Sequence, residues 1–184
     1  MRPRRESTRQ SNQTYFVGFQ AAGRKPFFRH ERWANLFLNI LHQYRSSYLL
    51  HAYVIMSDHV HLLLTPVESL ERSIQLLKGG FSYRAKRELD CSGGVWQAGF
   101  SDHRVRDLQD FYSHIVYIEQ NPVRARLCAS ADEYLYSSPS KTIALDAVPQ
   151  RLKPQAVDSF DGGAEAPPLQ KQEPPSLSLR VSAK

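Results

Sequence analysis

The chain has 184 residues, 41% of them hydrophobic, with two cysteines and a formal charge of +6 at neutral pH. That length and apolar content bury one domain-sized core and leave too little for two, while Cys91 and Cys128, in no ligand spacing, exclude a disulfide framework. No stretch is long enough to span a bilayer and no apolar region follows the early arginines, so neither a membrane protein nor a secreted one is expected, and a reducing cytoplasm fits.

Charge is unevenly placed. Residues 1–32 hold eight Arg/Lys against two Glu, whereas residues 33–140 hold ten against eleven acids, so the basic excess belongs to the beginning of the chain. A flexible basic arm over residues 1–13, with Arg4 and Arg5, suits a phosphate backbone. Thr14–Gln20 is rich in β-formers and reads as a first strand. Glu31–Tyr44, with Trp33, Leu36, Phe37, Ile40 and Leu41, reads as an amphipathic helix. Tyr48–Met56 and His59–Thr65 follow as two strands joined by a Ser57-Asp58 turn, and Pro66 closes the second. Ser69 caps a helix carrying Leu70, Ile74, Leu77 and Phe81, which Gly79-Gly80 weakens by roughly 1 kcal/mol per glycine. Val95–Val105 reads as a strand. A helix over Asp107–Asn121 ends there because Pro122 disfavours helix at the residue before it.

The order β-α-β-β-α-β-α predicts a ferredoxin-like (RRM-like) α+β sandwich, an antiparallel sheet with helices on one face plus an added C-terminal helix. That domain spans residues 14–138. Residues 139–184 hold seven of the eleven prolines and a single aromatic, Phe160; such a composition cannot offset its ordering entropy and predicts a disordered tail.

Chemistry concentrates in two places. On a strand, residues two apart share a face, so His59 and His61 lie side by side with Val60 turned away. Paired imidazoles can hold a divalent metal if an oxygen ligand arrives from elsewhere. In the last helix Leu108, Phe111, Ile115 and Ile118 form one apolar stripe; Asp110, His114, Tyr117 and Asn121 form a separate polar one. Tyr117 and Asn121 stand one turn apart. That is the layout of a nucleophile beside a metal ligand, and equally of an ordinary helix surface. Tyr112 shares this helix, and its neighbours Leu108 and Ile115 direct it toward the core.

Three separated motifs occur in order: Ser57-Asp58-His59-Val60-His61, Trp96–Val105, and Tyr117-Ile118-Glu119-Gln120-Asn121-Pro122-Val123-Arg124-Ala125. Together they resemble the single-tyrosine HUH (IS200-like) transposases, and among them the branch of REP-associated tyrosine transposases. The resemblance covers about Thr14 to Ser138. It implies that His59 and His61 bind the metal, that Asn121 completes the site, and that Tyr117 is the nucleophile on a catalytic helix. Glu119 is the rival ligand but points about half a turn from Tyr117. Imidazole ligands favour zinc, nickel or manganese; the resemblance implies Mg2+ or Mn2+, with phosphate and water oxygens filling the remaining positions.

What the resemblance implies is a transposase: a metal-dependent endonuclease and strand transferase that nicks and joins single-stranded DNA at palindromic repeat hairpins through a 5′-phosphotyrosine intermediate. Two other classes stay open, a catalytically inactive nucleic-acid-binding module on the same fold and a metal-dependent nuclease using water. Candidate DNA contacts are Lys78 and Arg84 on the helix after the histidines, His103 and Arg104 near the second motif, Arg124 after the tyrosine, and Arg4 and Arg5 in the arm. The chain is expected as a monomer or a homodimer. The Tyr117 stripe, rotated from the apolar one, is expected to meet the histidines at the sheet edge or in a partner subunit.

Overall fold

The structure, a computed structural model, describes residues 13–153. Its first strand, β1 (Tyr15–Gln20), already divides the molecule. Val17 and Phe19 face one side and join a large apolar cluster, while Phe16 faces the other and joins a smaller one. Strands β2 (Tyr48–Ile55), β3 (His59–Pro66) and β4 (Ser101–Arg104) complete an antiparallel sheet in the order β2-β3-β1-β4. Helices α1 (Glu31–Gln43) and α2 (Leu70–Glu88) cover the first face. Helix α3 (Leu108–Glu119) covers the second. This is the expected ferredoxin-like sandwich with its added helix, and the addition turns a sheet with one wet face into one covered on both.

The sequence of β2 carries that double coverage: all but Leu49 of Tyr48–Ile55 is buried. Tyr48, Leu50, Tyr53 and Ile55 join the first cluster, and Ala52 and Val54 the second. The break in strict alternation falls at His51, where the register to β3 shifts between Leu50 and Ala52. One extra residue in the strand flips every side chain after it. His51 itself is buried, with Nε2 2.9 Å from Thr65 Oγ1, which in turn lies 2.8 Å from Thr14 Oγ1.

Two expected boundaries move, and an expected weak point holds. Only Ser101–Arg104 of the expected Val95–Val105 strand pairs with β1; upstream, Trp96 makes an isolated bridge to Ala21 and Gly99 turns the chain with φ +76°. The half-buried Trp96 ring packs among Phe19, Phe28, Phe37 and Phe81, and that packing, with backbone hydrogen bonds from Ala22 to Val95 O and from Gln97 to Gln20 O, holds this segment. Helix α2 runs unbroken through Gly79-Gly80. A Cβ on Gly80 would lie 2.5 Å from the Tyr44 ring, so this glycine lets α1 and α2 approach. The last helix stops at Glu119, and after Gln120 a separate turn, α4 (Asn121–Arg124), begins with Pro122 near its start, where proline's missing N–H costs nothing.

The tail does not begin at residue 139. Ile143 joins the first cluster and Leu152 the second. Asp146 accepts hydrogen bonds from Leu50 N–H at 2.7 Å and from Arg45 at 2.6 Å, and its own N–H reaches Leu50 O at 2.8 Å. Ser138 Oγ takes the Tyr53 N–H and Tyr136 O the Ile55 N–H. This segment covers the open edge of β2, where unpaired backbone groups would otherwise face water or another chain. Averaged composition concealed two apolar anchors among prolines and serines. The remainder of the expected tail, and the basic arm with Arg4 and Arg5, lie outside the described residues.

Deletion of residues 139–184 should therefore destabilise the protein by about 2–5 kcal/mol, through lost burial and an uncapped strand edge. Urea denaturation should show this as a lower unfolding midpoint for the truncated chain than for the full one.

Candidate active site on the second face of the sheet

Alternation in β3 sends Val60, Leu62 and Leu64 into the first core and leaves His59 and His61 on the α3 side. Their rings stand edge to face, with centroids 4.9 Å apart. Register places His61 opposite Gly18 and His59 opposite Gln20. Gly18 makes room there: a Cβ would lie 2.9 Å from Ser101 Oγ and 3.0 Å from His61 Nδ1, so one of those side chains would have to shift. The half-buried His61 is pushed down to about 4 by desolvation, with the neighbouring His59 adding to the effect. It is neutral at physiological pH, and its buried Nδ1 has no hydrogen-bond partner. His59 Nδ1 lies 2.6 Å from Asp58 Oδ1, which fixes that ring and leaves Nε2 free.

Tyr117 meets this pair within the same chain. Its ring centroid lies 5.5 Å from that of His61, nearly perpendicular, and the residue is 40% exposed. The Arg124 guanidinium sits 5.5 Å from the ring centroid, a cation at its face. Phe16 links the parts: its ring stacks on His61 at 5.2 Å, meets Tyr117 edge-on at 5.5 Å and contacts His114 at 4.6 Å. The expected meeting at a sheet edge or in a partner subunit is thus replaced by one on the sheet's own face. Phe111 and Ile118 are buried under α3, while the polar stripe contacts β1 and β4 with Tyr117 still open to water. Tyr112, expected to face the core, is 52% exposed. Phe111 and Ile118 are the buried residues of α3, with Leu108 and Ile115 packed partly buried beside them, and Tyr112 lies outside that line.

Asn121 stands beyond the helix break, half-buried on the first residue of α4. Glu119, the rival ligand, is half-buried, and desolvation raises its carboxyl. Among the candidate DNA contacts, Lys78 is committed inward. Its Nζ donates to Gln97 O at 2.8 Å and Gly99 O at 2.6 Å, and burial lowers its pKa. Arg84 makes a two-pronged pair with Glu88 at 2.6 and 2.9 Å, one helical turn away. Arg104 donates through Nε to Gln13 at 2.7 Å and keeps its other donors. His103 pairs with Asp110 at 3.0 Å. Sequence reasoning missed Phe16 and Gly18, although they share one face of β1 by alternation; only the pairing register reveals what they oppose. Asp58, read as a turn residue, orients His59.

Two imidazoles, one locked by a carboxylate, faced by a half-exposed tyrosine on a ferredoxin-like sheet, form a site suited to phosphodiester chemistry. The family model for IS200-like transposases matches residues 9–121. The chain belongs to that family. Over 111 residues it is 28% identical to a REP-associated tyrosine transposase of Haemophilus influenzae, a match covering 54% of this chain and 63% of that one. The match thus spans less than two thirds of that relative's length. Among solved structures, a REP-associated tyrosine transposase bound to a REP hairpin is similar with a TM-score of 0.66 at 18% identity, over 84% of this chain and 89% of that one, a likeness of fold. No helix among the described residues is long and apolar enough to cross a membrane.

Gly18→Ala should displace the His61 ring or spread β1 from β4, at a cost of about 1–3 kcal/mol. Chemical denaturation measures the cost, and a shifted His61 imidazole signal in NMR reports the displacement.

Proposed function

We propose that the chain is a metal-dependent endonuclease and strand transferase for single-stranded DNA, acting at short palindromic repeats folded as hairpins. The observation that carries this reading is Tyr117 set against His61 within one chain, in a family of transposases. The hairpin substrate rests on the solved relative that is bound to one.

The Tyr117 phenol oxygen attacks the scissile phosphorus as the bond to the 3′ oxygen breaks. The phenolic proton leaves, the departing 3′ oxygen ends as a hydroxyl, and the 5′ phosphate stays on the tyrosine. Attack by another 3′-hydroxyl reverses the step and rejoins DNA, so no water need act as nucleophile. A free phenol titrates near pH 10 and is weakly nucleophilic at neutral pH. Arg124 at the ring face attracts the phosphate to the tyrosine. Phe16 fixes the approach of the ring, since a near-attack geometry contributes much of the rate.

The donor set fits a divalent cation. His61 is neutral with an unsatisfied buried nitrogen, and Asp58 orients His59 as carboxylates do behind metal-bound imidazoles. His59 and His61, with Asn121 from α4, would hold Mg2+ or Mn2+. When bound, the cation supplies positive charge to a non-bridging phosphate oxygen. Arg104, His103 and Arg124 are the proposed DNA contacts near the tyrosine; Arg4 and Arg5 would add to them from the arm. The cytoplasm is the proposed compartment, where chromosomal repeats are accessible.

Tyr117→Phe should abolish both cleavage and the denaturation-resistant protein–DNA adduct on a labelled hairpin with Mn2+, while hairpin affinity stays within about tenfold. Persisting cleavage would assign the attack to water; an adduct lost instead in Tyr112→Phe would move the nucleophile. Asp58→Asn should weaken Mn2+ binding by about tenfold or more, measured by calorimetry, since the ring loses its orienting acceptor.

A further inference from the structure

A second group of ligating side chains lies on the other side of Phe16. Register places His103 of β4 directly opposite Phe16, and α3 brings Asp110 and His114 over it. The ligand atoms of His103, Asp110 and His114 all fall within 4.8 Å of one another. His103 Nε2 is 3.0 Å from Asp110 Oδ2 and His114 Nδ1 is 3.2 Å from Asp110 Oδ1, with the two imidazoles stacked at 5.0 Å. Side-chain exposure grades from 12% at Asp110 through 18% at His114 to 44% at His103, so the group is sheltered beneath and open to water at one edge.

We propose that His103, Asp110 and His114 form a second cation site, separate from the His59–His61 pair, which takes a divalent transition ion such as Zn2+, Co2+ or Mn2+ and clips β4 to α3. Two imidazoles and one carboxylate with open positions are a donor set that prefers such ions to Mg2+. The contacts that now join the three residues run through protons, and a cation can replace those protons between the same atoms. His114 Nδ1 also lies 2.7 Å from the Asp110 carbonyl oxygen, so binding there displaces a ring proton. Asp110 is held anionic and in place from behind. Desolvation opposes this, but the His103 pair and the Arg106 N–H and side chain outweigh it and keep the carboxyl at about 2.

The position gives the clip a purpose. Strand β4 is four residues long, exposed throughout, and paired on one side only, to β1. Asp110 and His114 stand seven and three residues before Tyr117 on the same helix. A cation there would tie the short strand to α3 and set the tilt at which that helix presents Tyr117. This does not depend on the transposition chemistry.

The test is Co2+ titration of the full, tag-free chain, read by visible absorption and calorimetry. The wild type should bind about two equivalents, His61→Ala should keep the His103 site, and His103→Ala should keep the His61 site and lose the other. His103 lies at the surface, so its removal spares the core; His103→Gln is the second variant, and circular dichroism verifies folding of each. Thermal denaturation with Zn2+ should show a rise in midpoint in His61→Ala that is absent in His61→Ala/His103→Ala. A single equivalent in the wild type that His61→Ala abolishes and His103→Ala keeps, or the same Co2+ binding with and without His103, overturns the proposal; a single equivalent lost only with His103 supports it and counts against the His59–His61 site instead.

Discussion

The site depends on one packing event, the docking of α3 across the second face of the sheet. A ferredoxin-like sheet needs helices on only one face, and its other face is then wet. Here Ala52, Val54 and Leu63 make that face apolar, and Phe111 and Ile118 of α3 are buried on it. Each such side chain contributes about 1.5–3 kcal/mol on burial, enough to fix where the helix lies. Once it lies there, helical periodicity decides the rest: the stripe about 100° away from Phe111 and Ile118 turns toward β1 and β4, carrying Asp110, His114 and Tyr117. The polar residues meet the histidines because the apolar ones hold the helix down.

Phe16 and Gly18 translate that docking into geometry. Small and large alternate on one face of β1: the glycine admits the His61 ring, and the phenylalanine separates it from His114 while touching Tyr117. Desolvation keeps His61 neutral, the protonation state that the proposed ligand role needs. The positive charge near the tyrosine comes instead from Arg124, which follows the helix break. The break has its own role. A continuous helix would carry Asn121 along the axis of α3, whereas Pro122 starts a new turn that brings Arg124 back over the Tyr117 ring.

Much of this was legible in the sequence. Strand alternation alone put His59 and His61 on one face, Ser69 marked the start of α2, and the apolar and polar stripes of α3 were separable by counting. The run Tyr48–Ile55 is apolar on both faces apart from His51, a signal for cover on both sides of the sheet that the expectation of helices on one face left unused. Pairwise facts were not legible. Gly18 acquires meaning only from the residue it opposes, Lys78 reads as a surface cation until Gln97 and Gly99 fold over it, and Asp146 looks like one more acid in a proline-rich stretch until it caps Leu50. Composition describes a segment's average, and two anchors in a poor stretch suffice to order it.

The central claim is that one chain assembles histidines and tyrosine on one sheet face. Mixing His61→Ala with Tyr117→Phe tests it, since each variant keeps what the other lacks. Equimolar mixtures, unfolded and refolded together, should form no covalent adduct with a labelled hairpin in the presence of Mn2+. An adduct recovered on mixing, absent from either variant alone, would show that Tyr117 serves the histidines of another copy and would contradict the geometry described here.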